Sequence, residues 1–213
     1  LEKGDVVSIA SEGIPEWLFT DMGTIGAGGI SSGIYTTDSA AQVKYLVNDS
    51  KTKFYFAENE EQLDKILEVR NECPSLKKII VYDMEGLNDF KDDQVLSYEE
   101  FIQLGKKLDS DQPDLWLQSI NSVEADDIAI LVYTSGTTGP SKGAMINHKN
   151  LLYSVNTGVE IFEAREHEEQ LSFLPLCHIL ERSVSVMFPL KTGAVVNFAE
   201  SIDTVPENIR EVS

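Results

Sequence analysis

Cysteine is scarce in this chain: Cys73 and Cys177 are the only two in 213 residues, and they lie far apart. Two distant thiols do not make a disulfide framework, and they suit a reducing, cytoplasmic setting. Long apolar runs are missing too. No stretch approaches the roughly 18 uninterrupted apolar residues of a membrane span, so no transmembrane segment is expected. The chain opens at Leu1 without the charged, apolar and cleavage-site regions of a secretory signal, so none is expected. The missing initiator methionine is expected of a piece of a longer polypeptide. Basic side chains are the third shortage: 17 Lys and Arg stand against 36 Asp and Glu, a formal charge of −19. A field of that sign repels phosphate backbones and anionic lipid heads, so nucleic acid is not an expected partner. Any nucleotide site must then be made locally, from backbone amides and a few cations.

What remains is 42% hydrophobic, enough for a core, and it is laid out as short β-like runs alternating with amphipathic helical stretches. Strands are expected at residues 6–9, 30–35, 53–56 and 79–82, with helices over 14–27, after Ser39, through Leu63–Val69 and after Ser97. Ser39 with Gln42 and Ser97 with Glu100 have capping-box spacing, and Pro15 suits a first helical turn. Residues 83–94 and 109–127 are polar and acidic, the second interrupted by Leu115, Trp116 and Leu117, and both read as surface excursions. Beyond them come strands at 128–133 and 143–146, a helix over 148–162 capped by Asn147, a strand at 171–174, a helix over 179–190, a strand at 194–198 and a helix over 205–212. Such alternation implies an α/β layered fold with mainly parallel strands and flanking helices. No repeat or strong linker divides it, so the approximate halves 1–125 and 126–213 are expected within one large domain.

The most informative run is Tyr133-Thr134-Ser135-Gly136-Thr137-Thr138-Gly139-Pro140-Ser141-Lys142-Gly143, set between two apolar strands. Glycines let backbone amides approach an anion with no Cβ in the way. The hydroxyls of Thr134, Ser135, Thr137 and Thr138 can donate to phosphate oxygens or ligate a divalent cation. Lys142 adds a mobile positive charge. A P-loop is excluded on two grounds. That motif has glycine before its lysine and Ser or Thr after it, whereas Ser141 and Gly143 flank Lys142; and a strand, not a helix, follows. Composition alone leaves a plain polar hairpin open.

This run resembles the signature loop of the adenylate-forming superfamily, which comprises acyl-CoA synthetases, peptide-synthetase adenylation domains and beetle luciferases. The likeness extends through Met145, Asn147 and His148. A second segment, Leu174-Pro175-Leu176-Cys177-His178-Ile179-Leu180-Glu181-Arg182, is similar to the next family motif in its long-chain acyl-CoA synthetase form. Gly4, Asp5 and residues 26–50 are similar to the family's amino-terminal half, less specifically. The resemblance implies part of the large amino-terminal AMP-binding domain. It implies that Thr134, Ser135, Gly136, Thr137, Thr138 and Gly139 hold the β- and γ-phosphates of ATP, that Thr134 helps ligate Mg²⁺, and that Lys142 offsets pyrophosphate charge. His178 would sit by the acyl carboxylate and the later thioester site. The implied reaction joins a fatty acid to CoA through an acyl-adenylate, with peripheral membrane association of the parent enzyme left open. The family's downstream Thr-Glu segment, ribose-binding aspartate, hinge and carboxy-terminal domain have no counterpart, so the 213 residues are expected to be a third to a half of such an enzyme and inactive alone. Two other readings stay open: an adenylating enzyme for another carboxylic acid, and a non-catalytic nucleotide-binding or interaction module.

The smaller signals point to structure. Cys177 beside His178 looks like a thiol–imidazole pair, but helix neighbours diverge, and Pro175 marks a helix entrance. His178 and Glu181 could share a helical face, and a local polar cluster with Arg182 is expected there, zinc having too few further ligands. His148 is expected to help start its helix, His167 to be solvated, and Trp17 and Trp116 to pack.

Overall fold

The computed structural model describes residues 1–134, 140–163 and 165–212. Five parallel strands form its centre. They are β1 (Val6–Ala10), β2 (Ile30–Ile34), β3 (Phe54–Ala57), β4 (Lys78–Val81) and β5 (Val95–Ser97), interleaved with α1 (Pro15–Gly26), α2 (Ala40–Ser50), α3 (Glu60–Val69) and α4 (Tyr98–Asp111). After α5 (Leu115–Asn121), β6 (Ile128–Thr134) and β7 (Lys142–Asn147) extend the same sheet, giving the order β5-β4-β3-β1-β2-β6-β7. The β2-β1-β3-β4-β5 part is a doubly wound order, in which helices cover both faces of a parallel sheet.

Alternation along each strand explains the layers. Tyr55, Ala57, Ile79 and Val81 point to one face and pack on Val43, Leu46 and Val47 of α2 and Leu63, Ile66 and Val69 of α3. Val7, Ile9, Phe56 and Ile80 point to the other, against Trp17, Leu18 and Met22 of α1 and Tyr98 of α4. Being covered on both faces, β1 is a continuous buried run, VVSIA. Both expected capping boxes are present, and Pro15 opens α1. β6 runs parallel to β2 and antiparallel to β7, with Tyr133 opposite Gly143 and Thr134 opposite Lys142.

Past β7 come α6 (His148–Phe162), β8 (Glu169–Ser172), α7 (Ile179–Arg182), a π turn (Ser183–Met187), α8 (Phe188–Thr192), β9 (Val195–Phe198) and α9 (Val205–Glu211). β8 and β9 pair in parallel as a separate small sheet. Three sequence expectations need correction. Residues 109–127 contain a helix, α5, because Trp116 packs over Gly26 of α1, where a Cβ would collide with its ring. The helix expected over 179–190 is broken by the π turn ahead of Pro189, which has no N–H to return to the preceding turn. The strand expected at 171–174 lies earlier, since the Phe173 amide donates to Glu181 Oε1 at 3.2 Å instead of to a neighbouring strand. No helix among the described residues is long and apolar enough to cross a membrane.

Candidate nucleotide-binding site

A cleft of about 740 Å³ opens where the carboxyl ends of β2 and β6 meet the first turns of α2 and the His178 turn. Crevices at the carboxyl ends of parallel strands are where open α/β sheets bind ligands. Thr134, Pro140 and Ser141 line it from the loop that joins β6 to β7, and His178 and Ile179 line it from the opposite side. Sequence positions far apart are thus brought to one cleft. Lys142 is not in the lining; it stands opposite Thr134 in the ladder, so both side chains leave the same face. Ser135, Gly136, Thr137, Thr138 and Gly139 lie outside the described residues.

His178 caps α7: its Nδ1 accepts from the Leu180 amide at 3.2 Å. That contact leaves the proton of the neutral ring on Nε2. The Cys177 side chain turns the other way. It is buried against β2, and burial pushes its thiol up to about 12 in spite of the Tyr35 hydroxyl beside it. A thiolate nucleophile is therefore not available there. Glu181 and Arg182 do not cluster with His178 as expected, which is a correction. Glu181 is buried and accepts from Ser172 Oγ and Ser185 Oγ, each at 2.8 Å. Arg182 is fully buried, is paired with Asp21 through two hydrogen bonds, and lies 5.1 Å over the Trp17 ring. Cys177, His178, Glu181 and Arg182 thus each serve different partners, and the ion pair ties this segment to α1. Trp17 is core, and Trp116 packs on α1. Asn147 caps α6, which His148 begins, and His167 is exposed.

Sequence reasoning missed the lining residues Gly33, Tyr35, Asp38, Gln42 and Tyr45, which with Ala41, Leu46, Val132 and Tyr133 complete the cleft. The polar run that follows β2 into the Ser39 cap was the signal, but nothing local showed which strand it would face. Burial raises the Asp38 carboxyl above the usual range, against the pull of the Tyr35 amide and of Lys65. A second cleft of about 570 Å³ lies between α1 and α4, walled by Phe19, Phe56, Phe101 and Leu104. Its apolar walls suit no phosphate.

The described donors at the first cleft, the Thr134 and Ser141 hydroxyls with Lys142 beside them, fit a polyphosphate. Among the described residues no three His, Cys, Asp or Glu groups gather to hold a metal on their own.

The chain resembles known proteins over its whole length. Long-chain-fatty-acid–CoA ligase ACSBG2 of Homo sapiens is 36% identical over 204 residues, covering 94% of this chain and 30% of that protein. The ACSBG1 ligase of Rattus norvegicus is 32% identical over 219 residues, covering 100% of this chain and 30% of that protein. The chain therefore spans less than a third of the curated relatives it matches. Among solved structures, the anthranilate CoA ligase AuaEII in complex with anthranoyl-AMP superposes with a TM-score of 0.76 at 23% identity, over 98% of this chain and 38% of that one. That likeness shows the fold alone. The family of AMP-binding enzymes matches residues 1–212, and the chain belongs to it.

Proposed function

We propose that this chain forms the amino-terminal part of an AMP-binding domain, comprising the approximate halves 1–125 and 126–213, and that the intact protein is a long-chain-fatty-acid–CoA ligase. The carboxy-terminal domain lies outside these residues in this reading. Its central support is the cleft that gathers Thr134, Ser141 and His178. In it, residues 134–139 hold the β- and γ-phosphates of ATP, and Lys142 offsets the charge of the departing pyrophosphate. When bound, Mg²⁺ neutralises phosphate charge, and the Thr134 hydroxyl is this chain's ligand for it. His178, on the opposite wall, orients the acyl carboxylate and then faces the thioester step.

The chemistry runs in two displacements. A carboxylate oxygen bonds to the α-phosphorus while the bond from that phosphorus to the bridging oxygen breaks and pyrophosphate leaves. The CoA thiol then releases its proton to solvent, its sulfur bonds to the acyl carbon, and the bond from that carbon to the phosphate oxygen breaks as AMP leaves. Both steps gain from positioning and charge neutralisation, which is what a loop of amides and hydroxyls supplies. Both cysteines are free, which supports placement in the reducing cytoplasm. ATP–pyrophosphate exchange by the intact protein, screened over fatty and aryl acids of graded length, tests the reading. Exchange dependent on long-chain acids is expected; exchange with aryl or amino acids alone, or with none, contradicts it.

A further inference from the structure

Two tyrosine hydroxyls join the strands flanking the loop to one face of α2, Tyr133 reaching in from β6 and Tyr45 reaching out from the helix. Tyr133, the last residue before Thr134, donates through Oη to Asp49 Oδ2 at 2.7 Å. Tyr45 donates through Oη to the backbone carbonyl of Ser141, the last residue before Lys142, at 2.8 Å. Tyr45 and Asp49 are four apart on α2 and so share a face. We propose that Tyr45 and Asp49 are positioning residues that fix both arms of the loop against one rigid helix, and so set where Thr134 and Lys142 stand. The proposal rests on the phosphate-binding role given to that loop above.

Three further features fit it. The helix is a firm base: Val43 and Val47 are fully buried, Ser39 and Gln42 close a capping box at one end, and Lys51 ends it in the left-handed conformation at the other. Gly143, paired with Tyr133, leaves room for the phenol ring to cross the second arm. A Cβ there would come within 3.1 Å of the ring, so a side chain at 143 would push Tyr133 away from Asp49. Burial and the neighbouring Asp49 carboxylate both raise the Tyr133 hydroxyl, so it stays a donor throughout the working pH range. The clamp contacts themselves lie near solvent, where Tyr45 is 37% exposed, so they contribute little to global stability. Their effect falls on geometry.

The sign of the effect separates a clamp from simple charge. Asp49 is a carboxylate close to a loop that receives a polyanion. Removing its charge alone would favour ATP, whereas loosening the arm disfavours it. The test uses the intact protein with Tyr45→Phe, Asp49→Ala and Asp49→Asn, the last keeping an acceptor for Tyr133. Steady-state pyrophosphate exchange gives KM for ATP and for the acid; amide hydrogen exchange of the ligand-free protein at Tyr133, Thr134, Lys142 and Gly143 gives a readout that needs no activity. Tyr45→Phe and Asp49→Ala should each raise KM for ATP about three- to tenfold, the range for one lost hydrogen bond, with KM for the acid unchanged. Both should speed amide exchange at the arms, and Asp49→Asn should stay within about twofold of the parent. An ATP KM that is unchanged or lower in Asp49→Ala would overturn the clamp. So would unaltered amide exchange, or a fall of all constants together with thermal stability in both Tyr45→Phe and Asp49→Ala. Absence of exchange activity in the parent protein would contradict the function reading instead, and the amide-exchange result would then decide the clamp.

Discussion

Gly33 on β2 and Cys177 in the turn before α7 approach so closely that a Cβ at Gly33 would lie 2.5 Å from the Cys177 Cβ and 2.6 Å from its Cα. The contact seats the turn that carries His178 onto the central sheet. Gly33→Ala must therefore displace that turn or strain β2. A loss of about 1–3 kcal/mol is expected, the usual cost of overpacking, together with a higher KM for the acid. Urea unfolding and steady-state kinetics of the intact protein check this; an unchanged midpoint would show that the turn yields freely.

Cys177 should be chemically silent in the native state. With its thiol pushed up to about 12, the thiolate is about one part in ten thousand at pH 8. Iodoacetamide should label it only after denaturation, and Cys177→Ser should leave both half-reactions within about twofold. Rapid native labelling with loss of activity would revive a nucleophilic role. Mass spectrometry of tryptic peptides reads the first outcome directly.

Much of this was legible in the chain. Runs such as residues 6–9 and 79–82 are short, apolar and bounded by polar segments, and they became central parallel strands. Capping boxes announced α2 and α4 because their chemistry is local. The two strands that flank the loop were legible in the apolar runs on either side of it, and they pair as antiparallel β6 and β7. What was hidden depends on contacts distant in sequence. Nothing around Tyr45 or Asp49 announces partners 96 and 84 residues away. β5, with three residues, is too short to show a period, and α5 owes its place to Trp116 meeting Gly26. The break in the helix expected over 179–190 needed Pro189 to be weighed against an otherwise regular apolar pattern.

Acid should weaken the fold partly through Asp92. Its carboxyl is held below the usual range by the Gln94 amide and by Arg70, whose Nη1 lies 2.6 Å from Oδ2. A carboxyl lowered on folding stabilises fully above its unfolded value, near 3.9, and that stabilisation is lost as pH falls through the lower folded value. Asp92→Asn should lower stability at neutral pH and flatten the decline below about pH 4. Thermal unfolding across pH 2–7 measures it. Parallel curves for the two proteins would contradict the assignment.

Lys142→Ala should separate the half-reactions. Pyrophosphate leaves only in the first, so adenylate formation should slow about 10- to 100-fold, while thioester formation from preformed acyl-adenylate changes little. Equal losses in both would point to general damage. Single-turnover kinetics distinguish the two.

Residues 1–213 expressed alone should make no acyl-CoA and bind Mg·ATP weakly at most. On the proposed function the cleft supplies only the phosphate side of a site, and adenine, ribose and acyl contacts must be held with it in one geometry for adenylation. The formal charge of −19 opposes a polyanion further. Micromolar affinity by calorimetry would show that the site is more complete than proposed.

In the proposed function, the cleft between the loop arms, α2 and the His178 turn is where ATP phosphates are held. Hydrogen exchange of the intact protein with and without saturating Mg·ATP tests it most directly. Protection is expected at Tyr35, Tyr45, Thr134, Ser141 and Lys142, with β4 and α4 unaffected. Protection confined to the apolar cleft between α1 and α4, with those residues unchanged, would contradict it.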